Sequence, residues 1–290
     1  MEIGMVGLGR MGGNMAERLR RDGHTVVGFD RNPEVSQVAT LEELVSRLAP
    51  PRVVWVMVPS GEITENAVRQ LGELLEAGDL LIEGGNSNFH DSKRRGAALA
   101  ARGVGFVDAG TSGGIWGLTE GYCLMVGGSK EDVAKARPIF DSLAPRDGFA
   151  HVGPVGAGHF TKMVHNGVEY GMMQAYAEGY ELLKAADVGI DVDAALRAWQ
   201  HGSVVRSWLL DLLVKALDED PGLAGIEGYA QDSGEGRWTV NEAVRLAVPA
   251  PVLSAALFAR FASRQDESPA MKVVAALRKQ FGGHAVRSKA

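Results

Sequence analysis

The sequence predicts an α/β protein, with a doubly wound, mainly parallel sheet domain over residues 1–155 and an all-helical domain over residues 156–290. Two observations carry this expectation. Short apolar, strand-like runs alternate with helical periodicity up to about residue 155, as in sheets whose parallel strands are joined by crossover helices. From Gly158 onward the periodicity is almost wholly helical. At 290 residues the chain is long enough for one or two domains that bury about three quarters of the unfolded surface.

The first strand is Ile3 to Val6, running into Gly7-Leu8-Gly9-Arg10-Met11-Gly12 and a helix from Asn14 to Arg21. A second strand spans Thr25 to Phe29. Further strands are expected at Val53 to Val58, Leu80 to Glu83, Gly105 to Asp108, Tyr122 to Val126 and Phe149 to Val152. Beyond them a long helix reaches about Ala186, another starts at Asp193, and others follow Val204, Val240 and Pro269. Asp218 to Gly236, rich in glycine and acidic residues, reads as the longest unstructured connection, and loops of that length in a compact domain are usually functional.

The glycine hexamer stands between a strand and a helix, which is the context a dinucleotide fingerprint requires. Gly7 permits the tight turn, Gly9 lets backbone approach a pyrophosphate, and Gly12 lets helix and strand pack closely, with the helix N-terminus facing the phosphates. Leu8, Arg10 and Met11 complete the expected cofactor loop. Asp30 ends the second strand, 23 positions after Gly7, where a carboxylate accepts the adenosine ribose hydroxyls and repels a 2′-phosphate. NAD is therefore favoured. The adjacent Arg31 keeps NADP open, because a guanidinium there can pair with that phosphate.

A net charge of −6 provides no general basic field, so nucleic acid is not an expected partner. The single cysteine, Cys123, lies in an apolar run, where burial is expected; it has no intrachain partner, and a reducing cytoplasm suits that count. No signal peptide is expected ahead of a strand that starts almost at Met1. Leu246 to Phe258, the longest apolar segment, holds Pro249 and Pro251 and is flanked by Arg245 and Arg260, so no membrane association is expected. No His/Asp/Cys cluster has metal-ligand spacing, and no metal is expected.

Within the long helix, Lys162, Asn166 and Glu169 are spaced i, i+4, i+7 and share a face, bordered by His165 and Tyr170. Such a row can hold a base, an acid and hydroxyl-binding groups around one small polar substrate. An ordinary solvated ion-pair face has the same composition. Gly167, Gly171, Ala175 and Gly179 argue for the first reading: they lay a bare strip along the helix at about 1 kcal/mol per glycine, a cost that suits close approach by backbone, cofactor or another helix.

The cofactor hexamer, the segment Gly78-Asp79-Leu80-Leu81-Ile82-Glu83-Gly84-Gly85-Asn86-Ser87, the turn Ser112-Gly113-Gly114 and the helix from Gly158 to Tyr170 together resemble 6-phosphogluconate dehydrogenase, the decarboxylating enzyme. The resemblance runs from the first strand to the C-terminus and includes Arg278-Lys279-Gln280-Phe281-Gly282-Gly283-His284, similar to the family's closing segment. It points to the short branch, without the extra helical repeat of the longer enzymes. The resemblance implies oxidative decarboxylation of 6-phospho-D-gluconate to D-ribulose 5-phosphate with NAD, NADP being possible, in gluconate and pentose phosphate metabolism. Lys162 is the implied base and Glu169 the implied acid, with Asn166 beside them in the catalytic set. Free lysine has a pKa near 10.4, so this base must be neutral when it acts. Asn86, Ser112, Gly113, Gly114, His165, Asn166 and Tyr170 are implied substrate contacts, and Asn86 and Val58 border the cofactor.

Arg206 matches the family's phosphate-region arginine, while Arg237 falls where the family more often has lysine, which keeps the charge but changes its geometry. Arg278 and His284 match tail residues that reach into a neighbouring subunit's site, implying a homodimer or homotetramer. Two alternatives remain: another β-hydroxyacid dehydrogenase such as 3-hydroxyisobutyrate dehydrogenase, with little use for Glu169 or the cationic tail, and a nonenzymatic nucleotide-binding scaffold, which needs neither base nor acid.

Overall fold

A computed structural model describes residues 1–287. Its first compact unit is Met1–His165. Seven strands form one sheet in the order β2-β1-β3-β4-β5-β6-β7: β1 (Glu2–Val6), β2 (Thr25–Phe29), β3 (Val53–Val56), β4 (Leu80–Glu83), β5 (Gly105–Ser112), β6 (Cys123–Gly128) and β7 (Phe149–Gly153). All neighbouring pairs are parallel except β5 with β6. Helices α1 (Arg10–Arg21), α2 (Leu41–Ser46), α3 (Glu62–Leu74), α4 (Phe89–Ala100), α5 (Gly117–Glu120) and α6 (Lys130–Leu143) connect them.

Strand alternation sorts the apolar side chains into two layers. Ile3, Met5, Trp55 and Ile82 face one cluster together with Met15 and Leu19 of α1 and Ile139 and Phe140 of α6. Val6, Val54, Val56 and Leu81 face the other, with Leu44 of α2, Val68 and Leu71 of α3 and Leu99 of α4. A sheet covered on both faces is the doubly wound arrangement, and it explains why the parallel strands read as continuous apolar runs.

The last helix to begin in this unit, α7 (Ala157–Ala185), continues into the second, which starts at Asn166. The dividing point lies inside a helix because the first turns of α7 pack on the sheet: a Cβ on Gly158 would stand 2.3 Å from the Asp108 carbonyl oxygen. The second unit is helical, with α8 (Val192–Trp199), α9 (Trp208–Glu219), α10 (Gly234–Arg245), α11 (Pro251–Ala262) and α12 (Pro269–Gly282). Val192 and Leu196 pack with Leu210, Val214 and Leu217 in one cluster, and Tyr170 with Ala256 and Leu257 in another. Among the described residues, no helix is long and apolar enough to cross a membrane.

Several local expectations are corrected. Helix α1 starts at Arg10, four residues before the expected Asn14, because Gly12 and Gly13 depress helix propensity without breaking the helix. The Asp218 to Gly236 connection is shorter than expected: Asp218 and Glu219 belong to α9, Pro221–Leu223 form a 3-10 turn, and α10 begins at Gly234. The apolar run Leu246 to Phe258 contains the first part of α11, begun by Pro251 in the first turn, where its missing N–H costs nothing. Cys123 is exposed. Tyr122 and Leu124 on either side of it are fully buried, so alternation turns Cys123 to the opposite face. The glycine strip of α7 is used only in part: a Cβ on Gly167 would meet Thr239 of α10 at 2.6 Å and one on Gly171 would touch α11, while Gly179 faces open space.

Candidate active site

The crossover direction of the sheet reverses between β1 and β3, and α/β sheets place ligands at the carboxyl ends of strands beside such a reversal. A cavity of about 480 Å³ lies there. Of the residues expected to bind cofactor, Gly7, Gly9, Asp30, Arg31 and Val58 line it. Gly7 has φ +94°, and a Cβ on it would stand 2.3 Å from the Met57 carbonyl oxygen; a Cβ on Gly12 would stand 1.9 Å from that of Gly7. Both therefore serve the turn and the helix–strand contact. Gly9 differs, with nothing beyond its adjoining backbone within 4 Å of its Cβ position. That open approach fits a dinucleotide phosphate beside the start of α1, where Arg10 and Met11 open the helix. Asp30 is fixed by two backbone donors, Leu8 N–H to Oδ2 at 2.6 Å and Asn32 N–H to Oδ1 at 2.9 Å.

Lys162 is only 6% exposed. Its Cβ lies 2.6 Å from where a Cβ on Gly110 would be, so strand β5 needs glycine there to let the lysine helix approach. Ser112 ends the same strand, with its Oγ 3.5 Å from Nε2 of His165. The following turn uses Gly113 at φ +141° and Gly114 at φ +52°, conformations that L side chains rarely adopt. Tyr122 lies under this turn: a Cβ on Gly117 would collide with its ring at 2.0 Å. Burial pushes the Tyr122 phenol up to about 12. Asn86 is exposed just after β4, and its neighbour Gly85 packs against Val58 so closely that a Cβ would stand 2.6 Å from the Val58 carbonyl oxygen.

In the second unit, α7 continues without a break through Asn166, which is buried, and Glu169, which is half-buried. Tyr170 is buried, its hydroxyl accepting the Ser233 N–H at 2.7 Å and lying 2.9 Å from the Ser233 hydroxyl, with the Arg260 guanidinium 3.4 Å above its ring. Arg237 forms an ion pair with Asp232 at 2.5 Å and covers the Phe261 ring at 4.6 Å. Arg264 reaches the other oxygen of Asp232 at 2.6 Å, and these guanidiniums, Arg237 foremost, hold the Asp232 carboxyl down to about 2. Arg206 is exposed before α9, Arg278 is exposed on α12, and His284 packs edge-on against Phe281. No hydrogen bond among the described residues joins Arg206, Arg237, Arg278 and His284 to one another.

Residue-type reasoning passed over two groups. Thr40 and Glu42 line the cofactor cavity, yet no motif marks them. Asp108, His159 and Ser92 form a buried polar chain: Asp108 accepts the backbone N–H groups of Gly156 and His159 at 2.7 Å each, and Nδ1 of His159 lies 2.7 Å from the Ser92 hydroxyl. The available signal was an aspartate inside an apolar strand, since buried carboxylates are almost always partnered.

Fold and site together define the class: a Rossmann-type, dinucleotide-binding sheet followed by a helical domain, with a buried lysine on the helix that continues from one to the other. Residues 2–153 match the NAD binding domain of 6-phosphogluconate dehydrogenase, and residues 158–281 match the 6-phosphogluconate dehydrogenase C-terminal domain. The chain belongs to the 6-phosphogluconate dehydrogenase family. A Haloferax volcanii protein named as the NAD(+)-dependent, decarboxylating enzyme is 39% identical over 300 residues, covering 100% of this chain and 99% of its own. The Plasmodium falciparum 6-phosphogluconate dehydrogenase, solved as apo protein and with NADP+ or 6-phosphogluconate, superposes with a TM-score of 0.84 at 27% identity, over 100% of this chain and 66% of that one. Mycobacterium tuberculosis 3-hydroxyisobutyrate dehydrogenase has a TM-score of 0.73 at 23% identity, covering 96% and 99%, and shares the fold.

Proposed function

We propose that this chain catalyses the NAD-dependent oxidative decarboxylation of 6-phospho-D-gluconate to D-ribulose 5-phosphate and carbon dioxide. The observation that carries the reading is the buried Lys162 on the same continuous helix as Asn166 and Glu169. A 3-hydroxyisobutyrate dehydrogenase has use for the first two but little for the glutamate, and a binding-only scaffold has use for neither a base nor an acid.

Gly7 to Gly12, Asp30, Arg31, Val58 and Asn86 would hold the dinucleotide, which would supply the hydride acceptor. Neutral Lys162 takes the proton of the substrate's C3 hydroxyl as hydride leaves that carbon, and burial of an amine favours its neutral form. The C3 carbonyl so formed accepts the electron pair released when the C1–C2 bond breaks and carbon dioxide departs. Protonated Lys162 then hydrogen-bonds the developing oxyanion. Glu169 gives a proton to the carbon that becomes C1 of the pentulose. Asn86, Ser112, Gly113, Gly114, His165, Asn166 and Tyr170 hold the hydroxyls and carboxylate of the substrate. Arg206 and Arg237, with Arg278 and His284 from the tail of a second copy, hold its phosphate in a homodimer or homotetramer.

NAD preference rests on Asp30 facing the cavity, and the chain's lone cysteine suits work in the cytoplasm, in gluconate and pentose phosphate metabolism. The test is an assay of purified protein with 6-phosphogluconate and either dinucleotide, scoring reduced cofactor and carbon dioxide together. Equimolar release of both with NAD is expected. Reduction without carbon dioxide, or no turnover with either dinucleotide, overturns the assignment.

A further inference from the structure

The charged residues lining the cofactor cavity are Asp30, Arg31 and Glu42. Asp30 was anticipated from its position after β2. Glu42 was not, because it arrives from the first turn of α2, twelve residues further along. We infer that Glu42 is a second determinant of dinucleotide choice, acting against the 2′-phosphate of NADP; this rests on the NAD preference proposed above.

Three observations carry it. First, the cavity has two carboxylates against one guanidinium, whereas a 2′-phosphate adds a further charge of about −1.5 to −2. Second, two of the backbone donors around the start of α2 are already taken by the chain's own oxygens. The Thr40 hydroxyl accepts the Glu43 N–H at 3.1 Å, and the Glu43 carboxylate accepts the Ala39 N–H at 2.8 Å. Third, the polar groups at the start of the helix, its own backbone first and then the Thr40 side chain, hold the Glu42 carboxyl below the usual carboxylate range, so it is charged throughout the neutral range. Asp30 works differently. Its two oxygens are held by Leu8 and Asn32, which fixes it where ribose hydroxyls are recognised. Glu42 thus adds repulsion without a corresponding contact to NAD, which is how a specificity device acts against a competitor.

The test is calorimetric titration of the wild-type chain, Glu42→Gln, Asp30→Asn and the double variant with 2′,5′-ADP and 5′-ADP, at low and high ionic strength. Glu131→Gln serves as a control for net charge, since Glu131 is an exposed residue on α6 outside the cavity. In Glu42→Gln the affinity for 2′,5′-ADP should rise about two- to fivefold relative to 5′-ADP, the size expected for one solvent-screened charge. High salt should shrink that gain, and Glu131→Gln should show none. An unchanged ratio in Glu42→Gln, or equal gains for both ligands, overturns the inference. The wild-type ratio separately judges the NAD reading: a wild-type chain that binds 2′,5′-ADP more tightly contradicts the role given to Asp30, whether or not Glu42→Gln shifts the ratio.

Discussion

The carboxylate of Asp108, at the middle of β5, accepts the backbone N–H of His159, in the first turn of α7, at 2.7 Å. Its other oxygen takes the Gly156 N–H at the same distance. A wholly buried side chain of the sheet therefore caps the helix that carries Lys162, one turn beyond His159. Burial pushes the Asp108 carboxyl above the usual carboxylate range, and the two donors with the positive end of the helix oppose that push. Asp108→Ala leaves both buried donors unmade, at about 1–3 kcal/mol each. Urea unfolding should show a loss in that range or above, and turnover should fall with it as Lys162 loses its register. A variant as stable as the wild type would mean that the cap contributes nothing.

Gly12 and Gly9 of the cofactor turn should separate on substitution. Gly12→Ala places a Cβ 1.9 Å from the Gly7 carbonyl oxygen, an overlap that must push helix from strand, so the melting temperature and dinucleotide binding should fall together. Gly9→Ala meets nothing within 4 Å beyond its adjoining backbone. Its stability should stay within about 1 kcal/mol of the wild type, while NAD affinity should drop at least tenfold because the methyl occupies the approach to the pyrophosphate. Equal stability losses in the two variants would contradict the distinction between packing glycine and ligand glycine.

For the chemistry, Lys162→Met keeps the bulk of the buried side chain and removes the proposed base. Turnover with 6-phosphogluconate should fall by about 10²- to 10⁴-fold, the usual contribution of a positioned base, with NAD affinity retained by titration. Glu169→Gln should slow pentulose formation, and product formation at the wild-type rate in either variant would remove that residue from its role.

The sheet was legible because its strands are apolar runs bounded by glycine, and the cofactor turn because it needs glycine at fixed offsets for backbone reasons. Lys162, Asn166 and Glu169 were visible through helical spacing. What escaped was set by tertiary placement. The role of Asp108 depends on which N–H groups α7 brings to it, and that of Glu42 on a cavity formed by the ends of three strands. The exposure of Cys123 depended on a strand register that Tyr122 and Leu124 decide by being the better-buried pair. The apolar helix α11 hid because two prolines near its start resemble a break, although Pro251 lies at a position where proline begins helices well.

Acid should weaken the second unit through Asp232. Its pKa is depressed from about 3.8 to about 2 by Arg237 and then Arg264. A folded-state value below the unfolded one gives a contribution fully present above about pH 3.8 and lost as pH falls through about 2. Asp232→Asn should therefore lower stability at pH 6 and flatten its decline across the window from about pH 4 to 2. Parallel wild-type and variant curves, measured by urea unfolding at each pH, would show that the Arg237 and Arg264 pairs do not contribute.

The C-terminal helix provides the sharpest test of assembly. No residue of α12 is buried, although Met271, Val274, Leu277 and Phe281 lie within one third of its circumference and are all exposed. The proposed contact with a second copy would cover this apolar stripe, from which Arg278 and His284 extend. On the proposal that the tail of one copy completes the phosphate site of another, a truncation ending at Val274 should raise the Michaelis constant for 6-phosphogluconate by about tenfold or more, about 1.4 kcal/mol for each factor of ten, with NAD affinity much less affected. Mixing inactive Lys162→Ala chains with tail-truncated chains then decides between sharing and self-sufficiency. Some sites in the hybrids combine an intact lysine from one chain with an intact tail from the other, so activity should return above the sum of the two parents. Once hybrids are demonstrated by mass spectrometry, absence of that gain means that each chain completes its own site.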